Sequence, residues 1–201
     1  MNEYRRHFIK KMLVGGVAAS TFPTILLGKE QSGDYSNLEL MKQDPSPVRI
    51  ALIGKGGMGT GDANTALRVP GVKLVAVCDL YDVRLQNAKK EWGNHLFVTR
   101  EYKDILSRND VDAVIIGTSD HWHQQISIDA MKAGKHVYCE KPVIHKIAEL
   151  TDLINTQAQS GCVFQSGSQG IASLGNRKAK QLVQSGAIGK ARTYYLRSVR
   201  R

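Results

Sequence analysis

The sequence predicts an α/β fold in which a parallel sheet is covered by helices on both faces. Short apolar runs of β type alternate along residues 48–167 with longer stretches of helical type. Two helical stretches end at a glycine, Gly134 and Gly161, which is a common C-terminal signal of helices. This alternation favours parallel strands joined by right-handed crossovers, and ligands of such sheets bind beyond the carboxyl ends of the strands.

The elements follow one another with short connections, as expected of a single sheet-based domain. In chain order they are strand 48–54, helix 60–69, strand 72–79, helix 80–93, helix 101–108, strand 112–118, helix 121–134, strand 135–140, helix 147–161 and strand 162–167. The five strands predict one domain over residues 47–166.

A glycine-rich turn follows the first strand. It reads GKGGMG, so Gly54, Gly56 and Gly59 have the GxGxxG spacing between a strand and a helix. Gly54 permits the tight turn, Gly56 lets the backbone approach a pyrophosphate, and Gly59 lets the helix pack close to the strand. The amides of Gly57 and Met58 would point at the phosphates from the helix N-terminus, where the helix dipole favours anions.

An acidic residue ends the second strand, twenty residues beyond Gly59. A carboxylate at this distance, here Asp79, accepts hydrogen bonds from the ribose hydroxyls of NAD and repels the 2′-phosphate of NADP. The pattern therefore predicts a Rossmann-type, doubly wound domain that binds NAD rather than NADP. The alternative is a glycine-rich turn followed by an unrelated Asp79 that caps the next helix.

Polar residues also stand at the ends of later strands. Thr118 ends one strand, and Glu140-Lys141-Pro142 ends another that is otherwise apolar. Charges there cost free energy unless they are paired or used. Because parallel strands share one carboxyl edge, we expect these residues at the rim of the same crevice. The alternative is that Lys141 and Glu140 form a solvated pair.

The formal net charge of +10 arises mainly at the two ends of the chain. Arg5 and Arg6 begin one basic cluster, and residues 177–201 contain no acid. No helix-turn-helix, RNA-recognition or zinc pattern accompanies the basic residues, so we expect no nucleic-acid partner.

The cysteines, Cys78, Cys139 and Cys162, are odd in number and widely spaced. Their apolar surroundings predict buried free thiols. The spacing does not fit a zinc site, and we expect no metal.

Twin arginines precede an uncharged stretch near the N-terminus. Residues 4–11 read YRRHFIKK, and residues 12–28 are weakly hydrophobic and rich in small side chains. Residues 1–28 thus resemble a twin-arginine (Tat) signal, which implies the Tat export machinery as a partner and a periplasmic or exported location. The alternatives are a chance Arg-Arg pair before an amphipathic helix, and an uncleaved signal that anchors the protein in the membrane. Residues 29–46 are polar and predict a linker.

The motifs GKGGMG, VAVCD, GTSDHWH and AGKHVYCEKP, in this order, resemble those of the Gfo/Idh/MocA oxidoreductases. The resemblance implies an NAD(H)-dependent oxidoreductase that acts on a sugar, polyol or related hydroxyl compound. Two alternatives stay open: an NAD-dependent glycosidase or lyase of the same family, and a non-catalytic nucleotide-binding fragment if the chain ends at residue 201.

The resemblance also implies roles for individual residues. Lys141 would lie beside the nicotinamide and the substrate, bind the reacting hydroxyl or carbonyl, and assist proton transfer. Glu140 would support the cofactor or hold Lys141. The turn and helix start that line the cofactor crevice in the family match Thr118, Asp120 and His123.

Residues 167–201 resemble the beginning of the family's C-terminal α+β domain, which holds the substrate and mediates oligomerisation. We therefore expect a sequence truncated within that domain, whose full-length form is a homo-oligomer. The acid or base that partners Lys141 would then lie beyond residue 201.

Overall fold

The computed structural model describes residues 46–189. The predicted signal, nearly all of the predicted linker and the last part of the predicted C-terminal segment, residues 190–201, lie outside the described residues. The chain divides into one compact unit that ends at Gly167 and a second that begins at Ser168. Within residues 46–189, no helix is both long and apolar enough to cross a membrane.

Six parallel strands form one sheet in the order β3-β2-β1-β4-β5-β6. Their bounds are β1 Val48–Ile53, β2 Val72–Cys78, β3 Phe97–Thr99, β4 Ala113–Ile116, β5 His136–Glu140 and β6 Phe164–Gly167. The strand order reverses between β1 and β4, which are neighbours, and this is the switch point where such sheets open a crevice. The Rossmann-type, doubly wound parallel sheet is thus confirmed.

Helices cover both faces of the sheet. In the first unit they are α1 Gly57–Ala66, α2 Asp82–Trp92, α3 Tyr102–Leu106, α4 His123–Lys132 and α5 Glu149–Ser160. A 3₁₀ turn, Asp120–Trp122, leads directly into α4. The second unit contains a 3₁₀ turn, Gln169–Ala172, and helix α6, Leu174–Gln184.

The two core clusters explain why the strands read as continuous apolar runs. Ile50 and Leu52 of β1 pack in the cluster that includes α1 and α2, whereas Ala51 and Ile53 pack in the cluster that includes α3, α4 and α5. Successive side chains of a strand point to opposite faces. A sheet covered on both faces therefore needs apolar residues at every position.

Among the differences from the sequence-based prediction, two concern an edge strand and the start of α1. The edge strand β3 was not predicted, because its three residues are too few to show a strand pattern. Helix α1 begins at Gly57 rather than at residue 60, with Gly56 as its extended N-cap residue. The helix therefore starts inside the glycine motif, and its first amides belong to the motif itself.

Candidate functional site

The carboxyl ends of four adjacent strands lie in one row. Ile53 of β1 is in register with Cys78 of β2 and with Ile116 of β4, and Ile116 is in register with Cys139 of β5. The residues that follow stand at the same level of the sheet: Gly54, Asp79, Gly117 and Glu140. The carboxyl edge of the sheet thus brings together residues that are far apart in the sequence.

The phosphate-loop candidates are placed as an anion site requires. Gly57 and Met58 are exposed at the first turn of α1, where the first intrahelical hydrogen bond shown runs from the Thr60 N–H to the Gly56 carbonyl at 2.9 Å. The N–H groups of the first helical turn have no carbonyl acceptor inside the helix. They are available to an anion such as a pyrophosphate.

Three glycines make backbone-to-backbone contact beneath this loop. A Cβ on Gly59 would collide with the Gly54 carbonyl oxygen, and a Cβ on Gly117 would lie 2.7 Å from the Gly59 Cα. Gly54 has φ of +94°, and a Cβ there would lie 2.7 Å from the Gly117 backbone. Gly117 was missed by the sequence analysis, although it directly follows the apolar strand β4. The loops after β1 and β4 approach this closely only because all three side chains are absent.

Asp79 is 5% exposed, and its carboxylate already organises the loop around it. Oδ2 accepts a 2.7 Å hydrogen bond from the Lys55 amide, and Oδ1 accepts a 3.0 Å bond from the Tyr81 amide. The half-exposed Arg84 also donates to Oδ2 at 3.3 Å. A carboxylate offers about four lone-pair sites, so Asp79 retains capacity for a ribose hydroxyl beside these three donors.

The side chain of Lys55 anchors the same loop to the helices behind it. Its ammonium donates to Glu91 Oε2 at 2.9 Å and lies 4.6 Å from the centre of the Trp92 ring. Asn64 of α1 completes the network, because it donates to Glu91 Oε1 at 3.2 Å and accepts from Trp92 Nε1 at 2.9 Å. These contacts join the glycine loop to both α1 and α2.

We expect a Glu91→Gln variant to be less stable than the wild type at pH 7, with a difference that shrinks under acid conditions. The hydrogen bond from Lys55 lowers the pKa of Glu91 in the folded protein. The ionised form therefore stabilises the fold above the unfolded pKa, about 4.3, and this contribution is lost as the pH falls through the lower folded pKa. Urea unfolding at both pH values measures the change.

A double-mutant cycle with Lys55→Met separates the Lys55–Glu91 pair from other effects of the Glu91 substitution. A stability difference that is independent of pH between 7 and 3 would contradict the assignment of Glu91 as the titrating partner.

The segment after β4 holds three of the predicted site residues. Thr118 is half-buried and follows Gly117, and Asp120 begins the 3₁₀ turn. The Asp120 carboxylate is partly exposed, 3.8 Å from His121 Nδ1 and 3.9 Å from His145 Nε2.

His123 lies deeper than the other predicted residues of this segment. It is 2% exposed, with Nε2 3.0 Å from the Thr118 carbonyl oxygen and Nδ1 2.7 Å from the Pro142 carbonyl oxygen. The prediction that His123 contacts the cofactor stays a prediction, and its ring nitrogens face backbone in this structure.

Glu140 is the last residue of β5, and Lys141 and Pro142 follow it. Glu140 is 4% exposed, and Lys141 is exposed. The Lys141 amide donates to Glu140 Oε2 at 3.3 Å, and the Lys141-Pro142 peptide is cis. A Cβ on Gly167 would lie 2.5 Å from Glu140 Oε1, so this glycine leaves room for the carboxylate. Glu140 is thus buried, whereas the neighbouring Lys141 is exposed.

The cysteines are buried free thiols, as the sequence predicts. Burial raises the pKa of Cys78 and of Cys139 to about 12, so both are neutral at physiological pH. In the part of the chain that the structure describes, no three His, Cys, Asp or Glu residues are grouped so that they could hold a metal ion.

These groups are chemically complementary to a dinucleotide. The exposed amides of α1 suit a pyrophosphate, the Asp79 carboxylate suits ribose hydroxyls, and the Lys141 ammonium suits an oxygen that gains or loses a proton. The glycine contacts support this fit, since any larger side chain would fill the floor of the crevice.

The fold of the chain is similar to the folds of solved dehydrogenase structures. The chain matches myo-inositol 2-dehydrogenase from Lactobacillus plantarum with 35% identity and a TM-score of 0.67, over 72% of this chain and 43% of that one. It matches scyllo-inositol dehydrogenase from Lactobacillus casei, solved with NAD(H) and scyllo-inositol bound, with 33% identity and a TM-score of 0.66, over the same 72% and 43%.

Other relatives are named as glycosyl hydrolases rather than as dehydrogenases. A glycosyl hydrolase family 109 protein from Shewanella sp. (strain ANA-3) is 34% identical over 80% of this chain and 38% of its own length. An α-N-acetylgalactosaminidase from Shewanella oneidensis is 28% identical over 81% of this chain and 39% of its own length. The chain therefore spans about two fifths of the length of these relatives.

The family model described as "Oxidoreductase family, NAD-binding Rossmann fold" matches residues 48–168, which are more than half of the chain. This stretch contains the glycine loop, Asp79 and the Glu140-Lys141-Pro142 triplet at the edge of one sheet. The chain belongs to the Gfo/Idh/MocA family of NAD-binding oxidoreductases.

Proposed function

We propose that the chain is the cofactor-binding part of an NAD(H)-dependent oxidoreductase that acts on a sugar, polyol or related hydroxyl compound. The observation that carries the proposal is the row of strand ends, which places the glycine loop, Asp79 and Glu140 at one level of the sheet. Lys141 follows directly and is exposed. The similarity to two inositol dehydrogenases supports the class of substrate.

In this proposal each group of the chain has a defined task. The amides of Gly57 and Met58 hold the pyrophosphate, and Asp79 accepts hydrogen bonds from the adenosine ribose. Bound NAD⁺ supplies the hydride acceptor for oxidation of a carbinol carbon. Lys141 orients the substrate oxygen and exchanges its proton, and the buried Glu140 fixes the backbone amide from which Lys141 projects.

The cofactor proposal is tested by titrating NADH and NADPH separately into the 201-residue chain and following the fluorescence of the bound nucleotide. We expect NADH to bind more tightly, because the Asp79 carboxylate attracts ribose hydroxyls and repels a 2′-phosphate. The proposal that this chain binds a dinucleotide fails if neither nucleotide binds.

An Asp79→Asn variant should lose the preference for NADH. It keeps an oxygen acceptor for the Lys55 amide but removes the charge, and it frees the Arg84 guanidinium for a phosphate. Hydrogen bonds to charged groups are worth about 1.5–3 kcal/mol, so we expect NADH affinity to fall about ten- to hundredfold while NADPH affinity rises. Adding Arg84→Leu should cancel the gain for NADPH. Unchanged NADPH affinity in Asp79→Asn would contradict this role of the charge.

A second candidate is an NAD-dependent glycosidase, which the glycosyl hydrolase family 109 names of the relatives favour. Such an enzyme oxidises a sugar hydroxyl transiently and returns the hydride, so NADH does not accumulate. Assays of the protein with free polyols and with aryl glycosides distinguish the two: net NADH formation supports the oxidoreductase, and release of the aryl group without net NADH supports the glycosidase.

We further propose export by the Tat pathway, on the basis of the twin arginines and the uncharged stretch that follows. Replacement of Arg5 and Arg6 by lysine keeps the charge. Retention of this variant inside cells that export the wild type would support the proposal, and equal export of both would contradict it.

A further inference from the structure

His123 is the first residue of α4 and lies between the ends of two strands. The segment after β4 passes on one side through Thr118, and the segment after β5 passes on the other through Pro142. The imidazole is 2% exposed and contacts both segments through its two nitrogens. The segment after β4 forms part of the crevice wall, and the segment after β5 carries Lys141. Thr118 and Lys141 are more than twenty residues apart in the sequence.

Both contacts end on backbone carbonyl oxygens, which only accept hydrogen bonds. The Nδ1···O distance to Pro142 is 2.7 Å, and the Nε2···O distance to Thr118 is 3.0 Å. A neutral imidazole donates through one nitrogen only, whereas an imidazolium donates through both. In either tautomer the ring lies within 3.0 Å of one carbonyl oxygen on each segment and donates to one of them, so it spans the gap between the two segments.

This geometry argues against a direct role of His123 toward the cofactor. Both of its nitrogens are occupied by backbone, so neither is free to bind a phosphate or an amide. A buried neutral histidine ordinarily needs one acceptor and one donor as partners, whereas His123 faces two carbonyl oxygens that lie on two different strand ends. The Pro142 carbonyl is also one peptide unit from Lys141, so its position constrains the lysine backbone.

We propose that His123 is a positioning residue that fixes Lys141 relative to the wall of the cofactor crevice. This inference rests on the proposed function for its catalytic consequence. The tie itself is a property of this chain and is measured without turnover. Small displacements at a reacting centre are costly, since a 1 Å misplacement reduces rates about 10²-fold.

The test compares three variants of the 201-residue chain. His123→Phe keeps a ring and removes both donors, and His123→Gln retains one amide donor group. His95→Gln is the matched control, because His95 is exposed and precedes β3 at the opposite edge of the sheet. For each protein, hydrogen–deuterium exchange is measured by peptide without nucleotide, and acetylation of Lys141 is measured by mass spectrometry with and without NADH.

We expect His123→Phe to exchange faster than the wild type in the peptides that contain residues 118–122 and 140–146, with unchanged exchange in β1 and β2. It should bind NADH with little loss of affinity but lose the protection of Lys141 by NADH. His123→Gln should give a smaller loss, and His95→Gln none.

Three results overturn the inference. Faster exchange throughout the sheet would show that His123 only stabilises the core. A loss of NADH affinity with normal local exchange would show a direct cofactor contact. Unchanged exchange in both segments would show that no tie exists. Failure of the wild type to bind NADH would defeat the proposed function, and the exchange data would still decide whether the tie exists.

Discussion

A Gly59→Ala variant should fold poorly and should not bind NADH. The added Cβ would collide with the Gly54 carbonyl oxygen and approach Leu52 Cδ1 to 3.1 Å, and the first of these atoms belongs to backbone that cannot rotate away. Overpacking typically costs about 1–3 kcal/mol and occasionally more, and we expect a loss of about 3 kcal/mol here, at the upper end of that range. Moving α1 away from β1 to relieve the clash would also displace the amides that face the pyrophosphate.

Gly61→Ala is the matched control for this prediction. Gly61 lies two residues further along α1 and is exposed, and a Cβ added to it would point into open space. Alanine is preferred to glycine inside a helix by about 0.5–1 kcal/mol, so this variant should be slightly more stable than the wild type. Thermal unfolding and NADH titration of both variants check the pair. Equal stability of the two variants would contradict the close contact between Gly59 and Gly54.

Replacement of Lys141 by methionine should reduce turnover by about 10²–10⁴-fold, the contribution typical of general acid–base groups. Lys141 is exposed at the strand end, whereas Glu140 is buried and accepts a hydrogen bond from the Lys141 backbone amide, which the substitution keeps. NADH affinity should therefore change little. We would measure kcat and the dissociation constant of NADH for the active wild type and for the variant. Together they test whether turnover falls while cofactor affinity is kept.

Lys146→Met provides a control with the same change of charge. Lys146 is exposed five residues further on, and its described hydrogen bonds use its backbone rather than its side chain. It should retain full turnover. Equal losses in the two variants would indicate a general effect of positive charge near the crevice, and an active Lys141→Met variant would remove Lys141 from the mechanism.

The fold could be predicted from the sequence because the strand, turn and helix patterns all indicate the same parallel sheet. The apolar run of β1, the turn at Gly54 and the acid at Asp79 occur in an order that few other folds require. The helix ends at Gly134 and Gly161 were also visible, and both glycines have positive φ. In contrast, β3 consists of strand-forming residues, but three residues are too few to show a pattern, and only the pairing with β2 identifies the strand.

Contacts between distant segments were the part that the sequence could not predict. The Gly117 backbone contacts the Gly59 backbone, and the sequence around Gly117 contains no pattern that predicts this contact. The ion pair between Lys55 and Glu91 depends on how α2 packs behind the loop. The environment of His123 likewise requires the positions of β4 and β5, which only the sheet defines.

The contact of Gly54, Gly59 and Gly117 also bears on the entropy of binding. Backbone packs on backbone there, so the crevice floor contains no side chain whose rotamers must be frozen when a ligand arrives. Ordering a rotamer-rich side chain at a binding site costs about 0.5–1.5 kcal/mol. The crevice floor avoids this free-energy cost because folding has already ordered it. We expect this rigidity to increase the affinity for a dinucleotide.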